Sequence, residues 1–197
     1  MIAAEGARTP DTASRDAPSK NGWEGGRVPL TTDLGYWALC VAVSTTVFAL
    51  VAAWYIWPAL TRHAPSRALV PLLLFSSGRV AGLLFLVPGL VGRGMPAPFA
   101  VPTAYGDGAA AVLAVAAAVA LRHDRWIGRV LAWAYSVIGM IDLANAGAQS
   151  VRHGVGPADF GTTWILSVFN VPALLVTHVL IVAVLWRRPG ARPSRDR

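Results

Sequence analysis

Five long apolar blocks constrain this chain's fold more than any other feature. They cover about 35–58, 69–92, 103–121, 126–148 and 163–186. At about 1.5 Å per helical residue, each reaches across a hydrocarbon core about 30 Å thick. The apolar residues run on without a polar stripe, so most of these helices would have no face to turn toward water. Of 197 residues, 55% are hydrophobic and only 14% charged, which places the chain outside the soluble class. The expected architecture is an all-α integral membrane protein, a bundle of five transmembrane helices over residues 34–187. A polar tail at 1–33 and a basic tail at 188–197 flank it.

The amino-terminal tail is rich in Gly, Ser, Pro and Asp, the composition of a disordered segment. It holds no apolar run of signal-peptide length, so no cleavable signal starting at Met1 is expected. The first span would direct insertion.

Charge sets the expected orientation. With five spans, the 1–2 loop, the 3–4 loop and the carboxyl terminus share one side, and they carry Arg62, Arg67, Arg122, Arg125, Arg187, Arg188, Arg192, Arg195 and Arg197. The opposite loops offer Arg93 and Arg152. The positive-inside rule then puts the amino terminus outside and the carboxyl terminus inside. Tyr36, Trp37, Tyr105 and Trp164 would anchor the outer interface, and Trp54, Tyr55, Trp57, Trp126 and Trp186 the inner one. Trp133 falls about two turns inside span four and is not explained this way.

Arg79 sits near the middle of the second block, where a charge is expensive and needs a partner or a water-filled cavity. Span four supplies polar residues at helical spacing: Tyr135, Asp142, Asn145 and Gln149. Asp142 would lie on the order of 10 Å below the outer boundary. Asn170 in span five reaches a similar depth, and His178 lies deeper. Asp107 falls in the first turn of span three, where the helix dipole favours a negative charge. Together with Ser44, Thr45 and Thr46, these residues imply a polar pocket in the outer half of the bundle. Its centre would be Arg79 with Asp142 or Asp107 as counter-charge.

Two readings of the pair stand side by side. It orients two helices, or it anchors an anionic ligand. The loops 87–108 and 147–164 serve as connectors or as a lid, with Arg93, Arg152, His153 and Asp159 best able to meet a polar ligand. Pro172 is expected to kink span five. Thr103, following Pro102, is expected to cap span three. Ala110, Ala114 and Ala118 form a small-residue row that would make span three central in the bundle.

Several chemistries are absent. Cys40 is the only cysteine, so an intrachain disulfide or multi-cysteine metal site is impossible. His63, His123 and His153 belong to loops and do not join His178, so no metal site is expected. No phosphate-binding loop, dinucleotide fingerprint, zinc-protease motif or nucleophile elbow occurs. The sequence names no catalytic residue and no cofactor.

In size, span number and tryptophan content the chain resembles the tryptophan-rich sensory, or translocator, protein family. The resemblance goes no further than topology, and no ligand or function is carried over.

The leading expectation is a small structural or accessory subunit of a membrane assembly. A small-ligand binding or transport protein with an outward pocket is the alternative, and a small membrane enzyme using an intramembrane Asp or His is a third. Expected partners are the lipid bilayer, with partner membrane subunits, a homo-oligomer or a small ligand open, and no nucleic acid. The expected location is the bacterial cytoplasmic membrane.

Overall fold

The computed structural model describes residues 30–187. The expected tails lie outside the described residues, except that helix already begins at Leu30. Among the described residues, five helices are long and apolar enough to cross a membrane: Leu34–Thr61, Pro65–Leu86, Ala97–His123, Arg125–Arg152 and Leu166–Trp186. The protein is a five-span, all-helical membrane bundle.

Spans three and four form its backbone. Span three ends at His123 and span four starts at Arg125. Asp124 makes this one-residue turn possible. Its Oδ1 accepts from the backbone N–H groups of Trp126 (2.8 Å) and Ile127 (3.1 Å), satisfying donors that a helix start leaves open. Beyond the turn, Gly128 packs directly on the Leu121 backbone. The expected alanine row, Ala110, Ala114 and Ala118, is buried. Span five is nonetheless the most enclosed, with 56% of its apolar window buried against 39% for span three. Span one lies at the opposite extreme at 6%, and it leans mainly on span five.

Span three starts earlier than its sequence suggests. The helix begins at Ala97, and Pro102 lies inside its second turn. Thr103 therefore caps nothing and is a buried interior residue. Pro102 lies past the first turn and so forfeits the bond that would reach the Pro98 carbonyl.

Three of the spans depart from α geometry. In spans one and five, single π turns occupy Ala52–Ile56 and Leu166–Asn170. Each ends two residues before a proline, Pro58 or Pro172. A proline ring clashes with the carbonyl four residues back, and the wider turn moves that carbonyl aside. Trp57 and Val171 accordingly donate to the carbonyls five residues earlier, Ala52 and Leu166.

Span two changes winding instead. Pro65–Ser76 is α-helical, and Ser77–Leu86 is a ten-residue 3-10 helix. Such runs rarely exceed four residues. The side-chain hydroxyls of Ser76 and Ser77 donate to the carbonyls of Leu72 (2.8 Å) and Leu74 (2.7 Å), at the junction. With three residues per turn, residues three apart stack in one column. That column is Ser76, Arg79, Gly82 and Phe85, and all four are buried. An α-helix would rotate each about 60° from the last and carry Phe85 well off the Arg79 face.

Candidate functional site

Arg79 is fully buried, yet it stands in the wall of a cavity of about 150 Å³ at one end of the bundle. Three spans supply its partners. From span three, Asp107 Oδ1 accepts from Arg79 Nε at 2.8 Å and lies 2.7 Å from Nη2. From span four, Asp142 Oδ2 pairs with Nη2, and the Gly139 carbonyl accepts from Nη1 at 3.1 Å. A guanidinium offers five N–H donors in a planar fork, and three of them make hydrogen bonds here. Both acids share one arginine, where the sequence reading offered them as alternatives.

Three glycines let the helices close around this group. A Cβ at Gly82 would overlap the Asp107 carboxylate, and one at Gly106 would overlap the Asp142 carboxylate. A Cβ at Gly139 would fall 2.6 Å from His178 Cε1 and 3.0 Å from Arg79 Nη1. Each glycine thus marks where a neighbouring span presses a charged or aromatic group onto bare backbone.

Behind Gly139 lies a second polar layer. The His178 ring stacks on Tyr135, centroids 4.8 Å apart and planes at 13°. Both rings are buried. Neither His178 nitrogen nor the Tyr135 hydroxyl has a hydrogen-bond partner among the described residues. His178 thus joins span five to span four by ring stacking.

The cavity's other wall is aromatic. Phe85, Phe99 and Phe160 form a mutual cluster with centroids 6.0–6.1 Å apart, and all three line the cavity. Trp37 joins from span one, its Nε1 donating to Ser167 Oγ at 3.1 Å. Sequence reasoning missed this wall because the phenylalanines come from three distant segments. The 3-residue register from Arg79 to Phe85 is the one signal that joins part of it to the charged group, and it has that meaning only in 3-10 winding.

The loops at this end are tied together. Gly92 N–H donates to the Asp159 carbonyl at 2.8 Å, and Thr162 N–H to the Leu90 carbonyl at 2.9 Å. The Asp159 side chain accepts from Gly156 N–H at 2.8 Å and so closes its own turn. Arg93, Arg152, His153 and Asp159, expected as ligand-facing loop residues, do not line the cavity.

Asn170 lines the cavity together with Asp107 and Asp142. Asn145 does not, and its side chain is exposed on the outside of the bundle. The reason is angular. At about 100° per residue, Leu143, Ala146, Gly147 and Ser150 fall on one side of Asp142, and Asn145 falls about 60° to the other. Thr45 and Thr46 also stay out, since their hydroxyls donate to Val41 (2.7 Å) and Ala42 (2.9 Å) within span one. Trp133 packs edge-on against Trp186 with centroids 6.0 Å apart, which accounts for its depth.

Among the described residues, no three His, Cys, Asp or Glu side chains converge as metal ligands. No curated protein and no solved structure gives a match. Residues 36–186 match the family model described as a domain of unknown function (DUF8737), so the chain belongs to that family.

Proposed function

We propose that this membrane protein binds a small ligand in the cavity beside Arg79. One observation carries the reading: a charged trio drawn from three spans borders open volume rather than a closed core. The Asp107 and Asp142 side chains keep 15% and 16% of their surface exposed, while Arg79 keeps none. A pair that served only to hold helices together gains nothing from an open side and is weak evidence for stability even when closed. Polar groups converging on a largely apolar concavity are the usual form of a ligand site. The arginine count of the loops supports an orientation in which this cavity opens outward.

The test uses the full chain purified in lipid nanodiscs, with native mass spectrometry of what it retains. Ala146→Phe fills the cavity from span four, one turn beyond Asp142, and leaves all three charged residues in place. The wild type is expected to retain a small molecule that the variant loses, while both proteins keep the same helical circular-dichroism spectrum and monodisperse particle. Equal retention by both proteins, or by neither, counts against the cavity.

The accessory-subunit reading has its own observation. Val43 and Val47 on span one are more than half exposed, and most of that span has no partner within the chain. A photo-crosslinker at these positions is expected to capture a protein chain if span one docks to a subunit. Capture of lipid alone argues that the bilayer covers it.

A further inference from the structure

We infer that the ligand of this cavity is a compact organic cation, a protonated amine or quaternary ammonium with a small apolar body. The inference rests on the cavity reading above and specifies its chemistry.

Charge is the first argument. One guanidinium faces two carboxylates, so with both acids ionised the trio carries a net charge of −1. Among the described residues, Arg79 is the only basic one lining the cavity. His178 stands behind Gly139, stacked on Tyr135, and span one contributes Trp37 with no charged group. An uncompensated negative charge within a bilayer's depth is costly. A cation in the cavity, or a proton, removes it.

Donor use is the second argument. Three of the five arginine N–H groups already make hydrogen bonds within the protein, and Nη2 lies against Asp107 as well. An anion entering the cavity would compete with two carboxylates for the two N–H groups that remain. This reverses the expectation of an anionic ligand. On the acids, Asp107 Oδ1 and Asp142 Oδ2 serve the arginine, which leaves Asp107 Oδ2 and Asp142 Oδ1 without a bond to it.

The aromatic wall is the third. Phe85, Phe99, Phe160 and Trp37 line the same volume. Aromatic faces attract cations, most strongly where water is excluded, and such cages are a known means of holding quaternary ammonium groups. A sugar-like ligand fits less well, because Ser167 Oγ is already committed to Trp37 and to the Trp164 carbonyl.

Three probes share one branched skeleton and differ in charge: choline, 3,3-dimethylbutan-1-ol and 3,3-dimethylbutanoate. Binding to the full chain in maltoside micelles, which carry no choline headgroup, is read by calorimetry and by thermal shift. Choline is expected to bind at least tenfold more tightly than the alcohol, with no binding of the anion and loss of choline in Ala146→Phe. Asp107→Asn and Asp142→Asn are each expected to lower choline affinity tenfold or more while leaving the alcohol unchanged. If either variant fails to fold, the charge series on the wild type decides alone. Alcohol binding equal to choline, still blocked by Ala146→Phe, overturns the cation class and keeps the cavity. Tightest binding of the anion overturns the charge argument outright. If no probe binds, the cation class falls, and a proton is the group that balances the trio. The cavity reading falls with it only if no retained molecule responds to Ala146→Phe.

Discussion

At one end of the bundle a single residue separates two long α-helices, and the core there is alanine and leucine. At the other end spans two and five leave α geometry, and the interior holds an arginine, two aspartates and a phenylalanine cluster. Small side chains alone let regular helices approach closely, as Ala110, Ala114 and Ala118 do. Polar side chains must instead be aimed. The 3-10 column of span two aims Arg79 and Phe85 at one volume, and the π turn before Pro172 sets Asn170 on its rim. Two of the three irregular stretches within the spans lie where the protein positions chemistry, and the third, Ala52–Ile56, lies at the alanine end, where it accommodates Pro58.

The same division governs the arginines. At the cavity end Arg79 answers two acids. At the alanine end Arg129 Nη2 donates to the Leu185 carbonyl at 2.7 Å, and Arg187 donates to Leu60 and Thr61, both at 3.0 Å. These carbonyls lie in the last turns of their helices, where the α-helical ladder runs out of donors. Arg187, one of the basic residues counted for orientation, therefore also caps a helix.

The largest effect should come from breaking the trio on one side only. Arg79→Met leaves two buried carboxylates without their cation, and removing one partner of a buried pair costs about 3–5 kcal/mol. Replacing all three, as Arg79→Met with Asp107→Asn and Asp142→Asn, is expected to recover most of that stability but not ligand retention. Equilibrium unfolding in mixed micelles reads both. A triple variant as unstable as the single one would mean that charge imbalance is not the reason.

Next comes Gly139→Ala. The added methyl would fall 2.6 Å from the His178 ring, closer than real side chains come, and tight against Arg79, and overpacking of this kind costs about 1–3 kcal/mol. Gly147→Ala is its control, because nothing lies within 4 Å of a Cβ there. In the alanine half the reverse change, Ala114→Gly, removes one methyl from a regular helix and is expected to cost about 1 kcal/mol. Equal losses for Gly139→Ala and Gly147→Ala would show that the cavity end is not close-packed around its charged group.

Much of this was legible in the chain. Five uninterrupted apolar blocks specify five spans because a bilayer leaves few other ways to satisfy the backbone. An arginine inside such a block demands partners, and Asp107 and Asp142 were the acids at suitable depth. What was hidden depends on winding and rotation. Nothing in SSGRVAGLLFL announces 3-10 geometry, so the register from Arg79 to Phe85 had no meaning in sequence. Pro102 looked like a helix boundary, but a proline is also compatible with a second helical turn. The phenylalanine cluster joins residues 85, 99 and 160, and only tertiary structure brings them together.

The smallest expected effect separates two asparagines that the sequence treats alike. Asn145 and Asn170 sit at similar depth on neighbouring polar stretches, yet Asn170 lines the cavity and Asn145 is exposed outside it. Asn145→Ala should therefore change stability by no more than about 0.5 kcal/mol, as surface substitutions do, and leave ligand retention intact. Asn170→Ala should be nearly as mild for folding and lower ligand retention several-fold. Paired measurements of melting temperature and retained ligand on the two variants check this. A loss of ligand with Asn145→Ala would place that side chain in the cavity and turn span four by about 60° from its present position, which would also carry Asp142 away from Arg79. The mildest substitution is thus a direct test of the rotation on which the charged trio depends.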